Sequence, residues 1–419
     1  MVKAHGLHIR MPWMETDKTE LKKDFVFLAS KPGANKRELM RRFGVSAPTG
    51  YKWLERYEKE GLGGLEERSR RPLRHPNRSS PKLEKKVVDL RLKYEDWGAR
   101  KLHRLLQNAG EKDLPSATAV HNIIRRNGLV CSTQSPCVAA KSFERANPNE
   151  LWQMDFKGHF GMSGSRRCHP LTVCDDHSRF NLVLKACSDE RTETVQDSLL
   201  SCFERYGLPW SILCDNGSPW GRCDGMACRL ELWLLRIGVE VVHGRPYHPQ
   251  TQGKEERFHK TLKLELLSKT TLWRDLEHCD RAFAEFRELY NHVRPHRSLG
   301  LDCPGDRYRA SERSLPDSIP QCTSFYDGAD QVRRVKSKGE IMFRNRTYAM
   351  GRAFAGESVA INQFDDRRWE VFYCWKSLGI IDLSEPTKPK NNYNRLLPSP
   401  RRLGVEGKEA TPKGVKDVP

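Results

Sequence analysis

LWQMDFKGHF, residues 151–160, is the stretch on which the architecture turns. Upstream of it apolar residues recur at helical spacing; here they alternate. Trp152, Met154 and Phe156 fall on one face and Gln153, Asp155 and Lys157 on the other, the period of a half-buried β-strand. A turn at MSGSRR follows, then CHPLTVCDD and FNLVLKAC, which complete an antiparallel meander of three strands. Helix 192–207, a short strand at 210–215, helix 228–238 and a strand at 239–244 come next, before two long helices over 252–268 and 272–291. Three antiparallel strands followed by alternating helices and strands predict an α/β core over 149–310, a mixed five-stranded sheet with helices on both faces.

Outward from that core the pattern changes twice. Towards the N-terminus, ANKRELMRRFGVSAPTGYKWLERYEKEG (34–61) divides into helix, tight turn and helix, with Gly44 closing the first and Ser46 capping the second. That spacing is a helix-turn-helix, or failing that a plain αα-hairpin, within a domain over 1–65. In the helix-turn-helix reading 46–57 enters a major groove, with Ser46, Thr49, Tyr51 and Lys52 foremost. A connector rich in Arg, Pro and Ser (66–82) carries Arg68, Arg70 and Arg71, either tracking a phosphate backbone or entering a minor groove, or else serving as a solvated tether. Residues 83–130 repeat the design with two helices and a third from Ser116 to Gly128, a second helix-turn-helix-like module, and 131–148 reads as a linker. Beyond the core, about five short strands over 331–383, with turn signals at Arg344-Asn345 and Asp365-Asp366, predict a small β-barrel. The tail 384–419, rich in Pro, Lys and Asn, is expected to be disordered.

Charge narrows the function. The 419 residues hold 73 Lys and Arg against 54 Asp and Glu, a net +19, which makes nucleic acid the leading partner through phosphate neutralisation. No uncharged apolar stretch is long enough to span a bilayer and the N-terminus has no secretory core, so a cytoplasmic protein is expected and no membrane partner. The thirteen cysteines are scattered without a CxxC, and His5 and His8 have no cysteine pair at ligand spacing. Neither disulfides nor a zinc domain is expected.

Three carboxylates carry the chemical question. Asp155 sits mid-strand, where a charge is costly unless it faces solvent or a metal. Asp215 ends the strand SILCD, where ligand sites of α/β sheets assemble, and equally opens an ordinary Asp-Asn-Gly turn. In PYHPQTQGKEERFHKTLK (246–263), Phe258, Leu262 and Leu266 form an apolar stripe; Glu255 falls on its side and Glu256 nearly opposite, in line with Lys260 and Lys263. Alone, Glu256 is an i,i+4 ion pair with Lys260 and Glu255 a helix-start residue. Together, three hard oxygen ligands suit Mg²⁺ or Mn²⁺, and two such ions can drive in-line displacement at a phosphodiester without a nucleophilic side chain.

With WQMDF (152–156), VCDDHSRF (173–180), LCDNGSPW (213–220), RPYHPQTQGKEERFHKTLK (245–263) and YNHVRPHRSLG (290–300) in view, the chain resembles bacterial insertion-sequence transposases of the DDE transposase and retroviral-integrase superfamily. The resemblance covers 149–310 and implies an RNase H-like catalytic core. It implies that Asp155, Asp215 and Glu256 form the catalytic triad holding two Mg²⁺ or Mn²⁺ ions, and that Tyr247, Gln252, Lys260 and Lys263 contact DNA. Forty residues separate Asp215 from Glu256, longer than usual, and the excess is placed in a loop at 217–228. Asp175 and Asp176 are rival carboxylates, read as a turn with Asp176 near Arg179. The implied protein is an enzyme that binds terminal inverted repeats, cleaves strands at element ends and joins them to target DNA as a homo-oligomer, in the bacterial nucleoid. A transposase-derived regulator without catalysis and an RNase H-type nuclease are the alternatives; whether an accessory ATPase takes part is left open.

Overall fold

The computed structural model describes residues 18–68, 79–130, 144–220, 227–244, 253–386 and 393–399. Two compact units result, 1–78 and 79–419.

In the first unit α1 (Lys18–Ala29), α2 (Lys36–Arg42) and α3 (Ala47–Glu60) enclose Phe25, Val26, Met40, Trp53, Leu54 and Leu65. Asn35 caps α2 by accepting from the Glu38 amide at 3.2 Å, and Gly44 takes the left-handed conformation that turns the chain into α3. Ser46 does occupy the N-cap position of α3. Its hydroxyl, however, pairs with Thr49 Oγ1 at 2.8 Å instead of a backbone amide. The connector 69–78, with Arg70 and Arg71, lies outside the described residues, as do most of the linker at 131–148 and most of the basic tail.

The second unit begins with another three-helix module: α4 (Pro81–Lys93), α5 (Ala99–Asn108) and α6 (Ala117–Arg126), closed around Val87, Trp97, Leu102, Leu106, Val120 and Ile123. Ser116 accepts from the Ala119 amide, the cap its position predicts. Next in the chain come β1 (Trp152–Phe156), the two-residue β2 (Phe160–Gly161), β3 (Arg167–Asp175), β4 (Asn181–Cys187), α7 (Thr192–Tyr206), β5 (Ser211–Cys214), α8 (Arg229–Arg236) and β6 (Glu240–His243). They build a mixed six-stranded sheet. β1, β3 and β4 form the antiparallel meander; β5 and β6 join β1 in parallel, and β2 pairs with β3 at the edge. The added strand is β2, two residues long and too short to register in an alternation pattern.

Two helical layers cover the sheet because the strands are apolar on both faces. Trp152, Met154, Leu171 and Val173 pack with Val195, Leu199 and Phe203 of α7 and with Trp233 and Leu234 of α8. Cys174, Leu184 and Ala186 face Phe258 and Leu262 of α9 (Gly253–Leu262) and Phe283 and Phe286 of α10 (Leu276–Glu288). Each of these helices runs on into a π-turn, Lys263–Leu267 and Leu289–Val293. Glu265 in the first π-turn accepts three contacts of 2.8–3.1 Å from Arg294, just past the second, and a fourth at 3.1 Å from Trp97 Nε1. Lys269–Asp96 at 2.6 Å and Arg104–Asp302 at 2.9 Å flank it. The α4–α6 module is thereby fastened to the core. Lys101 beside this seam is pushed down to about 8, chiefly by burial and then by Arg294.

The C-terminal segment departs from expectation. β7 (Gln331–Arg334), β10 (Ser358–Gln363), β11 (Arg368–Tyr373) and β12 (Lys376–Asp382) form an antiparallel sheet in the order β12-β11-β10-β7, and β8 (Glu340–Phe343) pairs only with β9 (Arg346–Ala349). Among the described residues the ladder does not close, so the predicted barrel is an open sheet with a separate hairpin. Both cover one core, which includes Leu232 and Leu235 of α8, so this helix plugs the opening that strand closure would otherwise seal. Arg344 and Asn345 both take positive φ at the β8–β9 turn, as their turn signal predicts.

Candidate active site

Asp155 is the fourth residue of β1, paired with Thr172 of β3. On its other side β1 runs parallel to β5, with Gln153 opposite Leu213, and Asp155 and Asp215 each follow two residues on in the same direction, Asp215 just past the end of β5. The electrostatics agree with this placement. The Asp155 carboxyl is pushed up to about 7, first by burial and next by the Asp215 charge. Asp215 itself is exposed. Its Oδ1 accepts from the Gly217 amide at 3.0 Å and its carbonyl accepts from His243 Nδ1 at 2.9 Å.

Beneath Asp155 lies a polar knot that the sequence reading did not assign. Thr172 Oγ1 donates to the Asp155 carbonyl at 2.9 Å and lies 2.8 Å from His259 Nε2 and 3.1 Å from Glu255 Oε2. Glu255 is 1% exposed and its Oε1 has no hydrogen-bond partner. Burial, then Asp155, raise its carboxyl to about 8, which favours its protonated form. His259 stands 3.9 Å from Asp155 Oδ2 and 3.7 Å from Glu255 Oε2. These are contacts of a neutral ring and not salt bridges, since burial and then Lys157 lower the imidazole to about 3. The signal was present in the sequence: Glu255 shares the apolar stripe of α9, and His259 is its i+4 neighbour.

Glu256 occupies the same first turn and is exposed, with Lys260 and Lys263 exposed further along that face. Glu256 forms no ion pair with Lys260 among the described residues. Nor do three His, Cys, Asp or Glu side chains among them stand close enough together to hold a metal ion. Asp155 and Asp215 are brought together; Glu256 is placed on the neighbouring helix. Tyr247 and Gln252 lie outside the described residues, as does 221–226 of the predicted loop. Trp220, at the start of that loop, is buried and stacks on Phe156 at 5.3 Å between ring centroids.

The rival acids have structural work. Asp175 accepts from the Ser178 amide and hydroxyl and from the Asn149 amide at 2.6–2.8 Å. Asp176 accepts from Gln153 and the Arg145 amide and pairs with Lys254 at 2.5 Å. Arg179 donates to the Asp176 carbonyl. In the first unit Ser46, Tyr51 and Lys52 are exposed and Thr49 is half-buried; Arg68 is engaged with Glu60.

An integrase core domain model matches residues 145–249 and a second one 237–304; a helix-turn-helix model matches 22–72 and a homeodomain-like model 49–124. The C-terminal domain of IS481 family transposases matches 330–389. The "Insertion element IS476 uncharacterized 39.2 kDa protein" of Xanthomonas euvesicatoria is 26% identical over 292 residues, 67% of this chain and 78% of that one. This chain is similar to insertion-sequence transposases of the integrase superfamily. The chain also shares 35% identity over 116 residues with the Gag-Pro-Pol polyprotein of squirrel monkey retrovirus, 28% of this chain but only 6% of that polyprotein. Among solved structures, the HTLV-2 integrase catalytic core in complex with magnesium aligns with TM-score 0.30 at 16% identity, covering 39% of this chain and 99% of that one. No helix among the described residues is long and apolar enough to cross a membrane.

Proposed function

We propose that this chain is a transposase, a Mg²⁺-dependent polynucleotidyl transferase that cleaves a strand at each element end and joins the freed 3′-OH to target DNA. The observation that carries the reading is the Asp155–Asp215 pair, one carboxylate on β1 and the other just past the end of the adjacent parallel strand β5, near enough for the second charge to raise the first carboxyl. Its fit to a cation is testable in the structure itself. Asp155 resists ionisation because of burial and the Asp215 charge, and a divalent cation held by these carboxylates would offset both penalties. Glu256, on the exposed face of the adjoining helix turn, is the third ligand in this assignment; carboxylates with open positions for phosphate oxygens suit Mg²⁺ better than softer metals. When bound, a pair of such ions supplies Lewis-acid stabilisation of the attacking and leaving oxygens.

The chain's own residues supply the rest. Thr172, backed by His259, holds the Asp155 carbonyl in place, and the burial that favours a protonated Glu255 limits negative charge beneath it. Lys260 and Lys263 extend a basic face from Glu256 along α9 and its π-turn, suited to phosphates of the bound end. In the proposed organisation, helix-turn-helix domains at 1–65 and 83–130 read the terminal inverted repeats, a core at 149–310 does the chemistry, and the C-terminal sheet holds DNA or a second subunit. Two ends must be joined, so a homo-oligomer on DNA is proposed.

A joining assay with paired terminal-repeat duplexes, target DNA and Mg²⁺ tests this. Covalent transfer that Glu256→Gln abolishes is the expected result. Cleavage with no joining would move the reading to a nuclease, and repeat-specific binding with no Mg²⁺-dependent chemistry to a regulator.

A further inference from the structure

α8 is buried almost along its whole length, with Leu230, Trp233 and Leu234 in the core of the mixed sheet and Leu232 and Leu235 in that of the C-terminal sheet. Among these apolar neighbours stands Glu231, 8% exposed. An acid in that place needs partners, and they come from two different directions. From the C-terminal sheet, Lys376 Nζ reaches Glu231 Oε1 at 3.3 Å and donates to the Val241 carbonyl at 3.3 Å, with Glu240 a further 3.5 Å neighbour. From β6, His243 Nε2 lies 3.7 Å from Glu231 Oε2. The other nitrogen of the same ring donates to the carbonyl of Asp215 at 2.9 Å.

Lys376 is delivered by the β11–β12 hairpin. Tyr373 and Lys376 pair across a two-residue turn in which Cys374 has φ +49°. Next to it Trp375 Nε1 donates to the Leu235 carbonyl at 3.0 Å, and Tyr373 accepts from Arg236 at 2.9 Å. The hairpin tip is therefore seated on α8 by Tyr373 and Trp375, immediately ahead of Lys376.

We propose that Lys376 is a positioning residue for the active site, acting through Glu231 and His243 on the backbone that presents Asp215. Asp215 lies past the last paired residue of β5, in an exposed segment. Its carboxylate has a turn amide to hold it; its backbone is held by the His243 ring and by the Gly244 amide bonded to the Cys214 carbonyl at 3.1 Å. The chain Lys376–Glu231–His243 ties that strand end to a domain outside the core, so the C-terminal sheet completes the site structurally whatever else it binds. The bearing on catalysis rests on Asp215 being a metal ligand, as proposed above.

Hydrogen–deuterium exchange on the full-length, metal-free protein tests the chain without any activity. Peptides covering 211–217 should exchange about tenfold faster in Lys376→Met and in Glu231→Met, with α7 peptides unchanged and Lys376→Arg restored towards wild type. If Lys376→Met also loosens β11 and β12, Glu231→Met, which leaves that hairpin's sequence intact, decides. Wild-type exchange at 211–217 in Glu231→Met overturns the proposal. In the joining assay Lys376→Met should lower the rate at saturating DNA about tenfold while changing the affinity for the repeat less than about twofold. A variant whose exchange responds in a protein that never joins DNA would leave the positioning role standing and sink the transferase reading instead.

Discussion

Asp155 and Asp215 stand side by side, yet the molecule holds them in opposite ways. Asp155 belongs to a central strand and rests on a buried knot of Thr172, His259 and Glu255. Asp215 projects from a strand end into solvent, with its backbone tied outward through His243. The difference separates two costs that a cation site built on these residues would meet. On the β1 side, charge is kept where the fold disfavours it; on the β5 side, a segment is kept in place where the fold supplies little packing. One side stores electrostatic strain and the other needs tethering.

The comparison can be broken most decisively at the chemistry. Asp155→Asn, Asp215→Asn and Glu256→Gln should each lower joining ~10³-fold, about 4 kcal/mol of barrier, with repeat binding unchanged. Loss of joining in Glu255→Gln with a fully active Glu256→Gln would transfer the third ligand to the buried acid. Next in size is the pH dependence of stability without metal. Asp155 near 7 and Glu255 near 8 keep protons that the unfolded chain releases above about pH 4, so stability should fall as pH rises from about 4 to 8. Thermal melts across that range should show the decline, smaller in Glu255→Gln and reduced by added Mg²⁺; a flat profile would mean that the β1 side carries no such strain. Thr172→Val should cost about 1–3 kcal/mol in chemical denaturation by leaving its buried partners unsatisfied. At the exposed end Asp215→Asn should change stability by no more than about 0.5 kcal/mol, and a larger loss would erase the contrast.

Much of this architecture is legible in the sequence because local patterns and packing agree. The alternation at Trp152, Met154 and Phe156, the cap at Ser116 and the positive-φ turn at Arg344-Asn345 all specify their own structure. The open C-terminal sheet is not legible, since whether strands close depends on what fills the gap, and Leu232 and Leu235 come from a helix about a hundred residues upstream. The same limit governs the site. Asp155 and Asp215 follow from strand placement, but the stripe that puts Glu255 on the packed side of α9 does not say that a second carboxylate lies across the interface. Nor does a single Glu inside the apolar run LELWLL reveal that its partners are His243 and Lys376.

The seam at Glu265 bears on how such proteins could be recombined. The two helical modules look interchangeable as sequence segments, but only the first is a unit of its own. A chimera joined within 69–78 would exchange one module and leave the other seated. One joined within 131–143 would separate Trp97, Lys101 and Arg104 from Glu265, Arg294 and Asp302, so a transplanted second module must arrive with the face of the core it grips. The useful cut site lies between the modules, not in front of the catalytic strand.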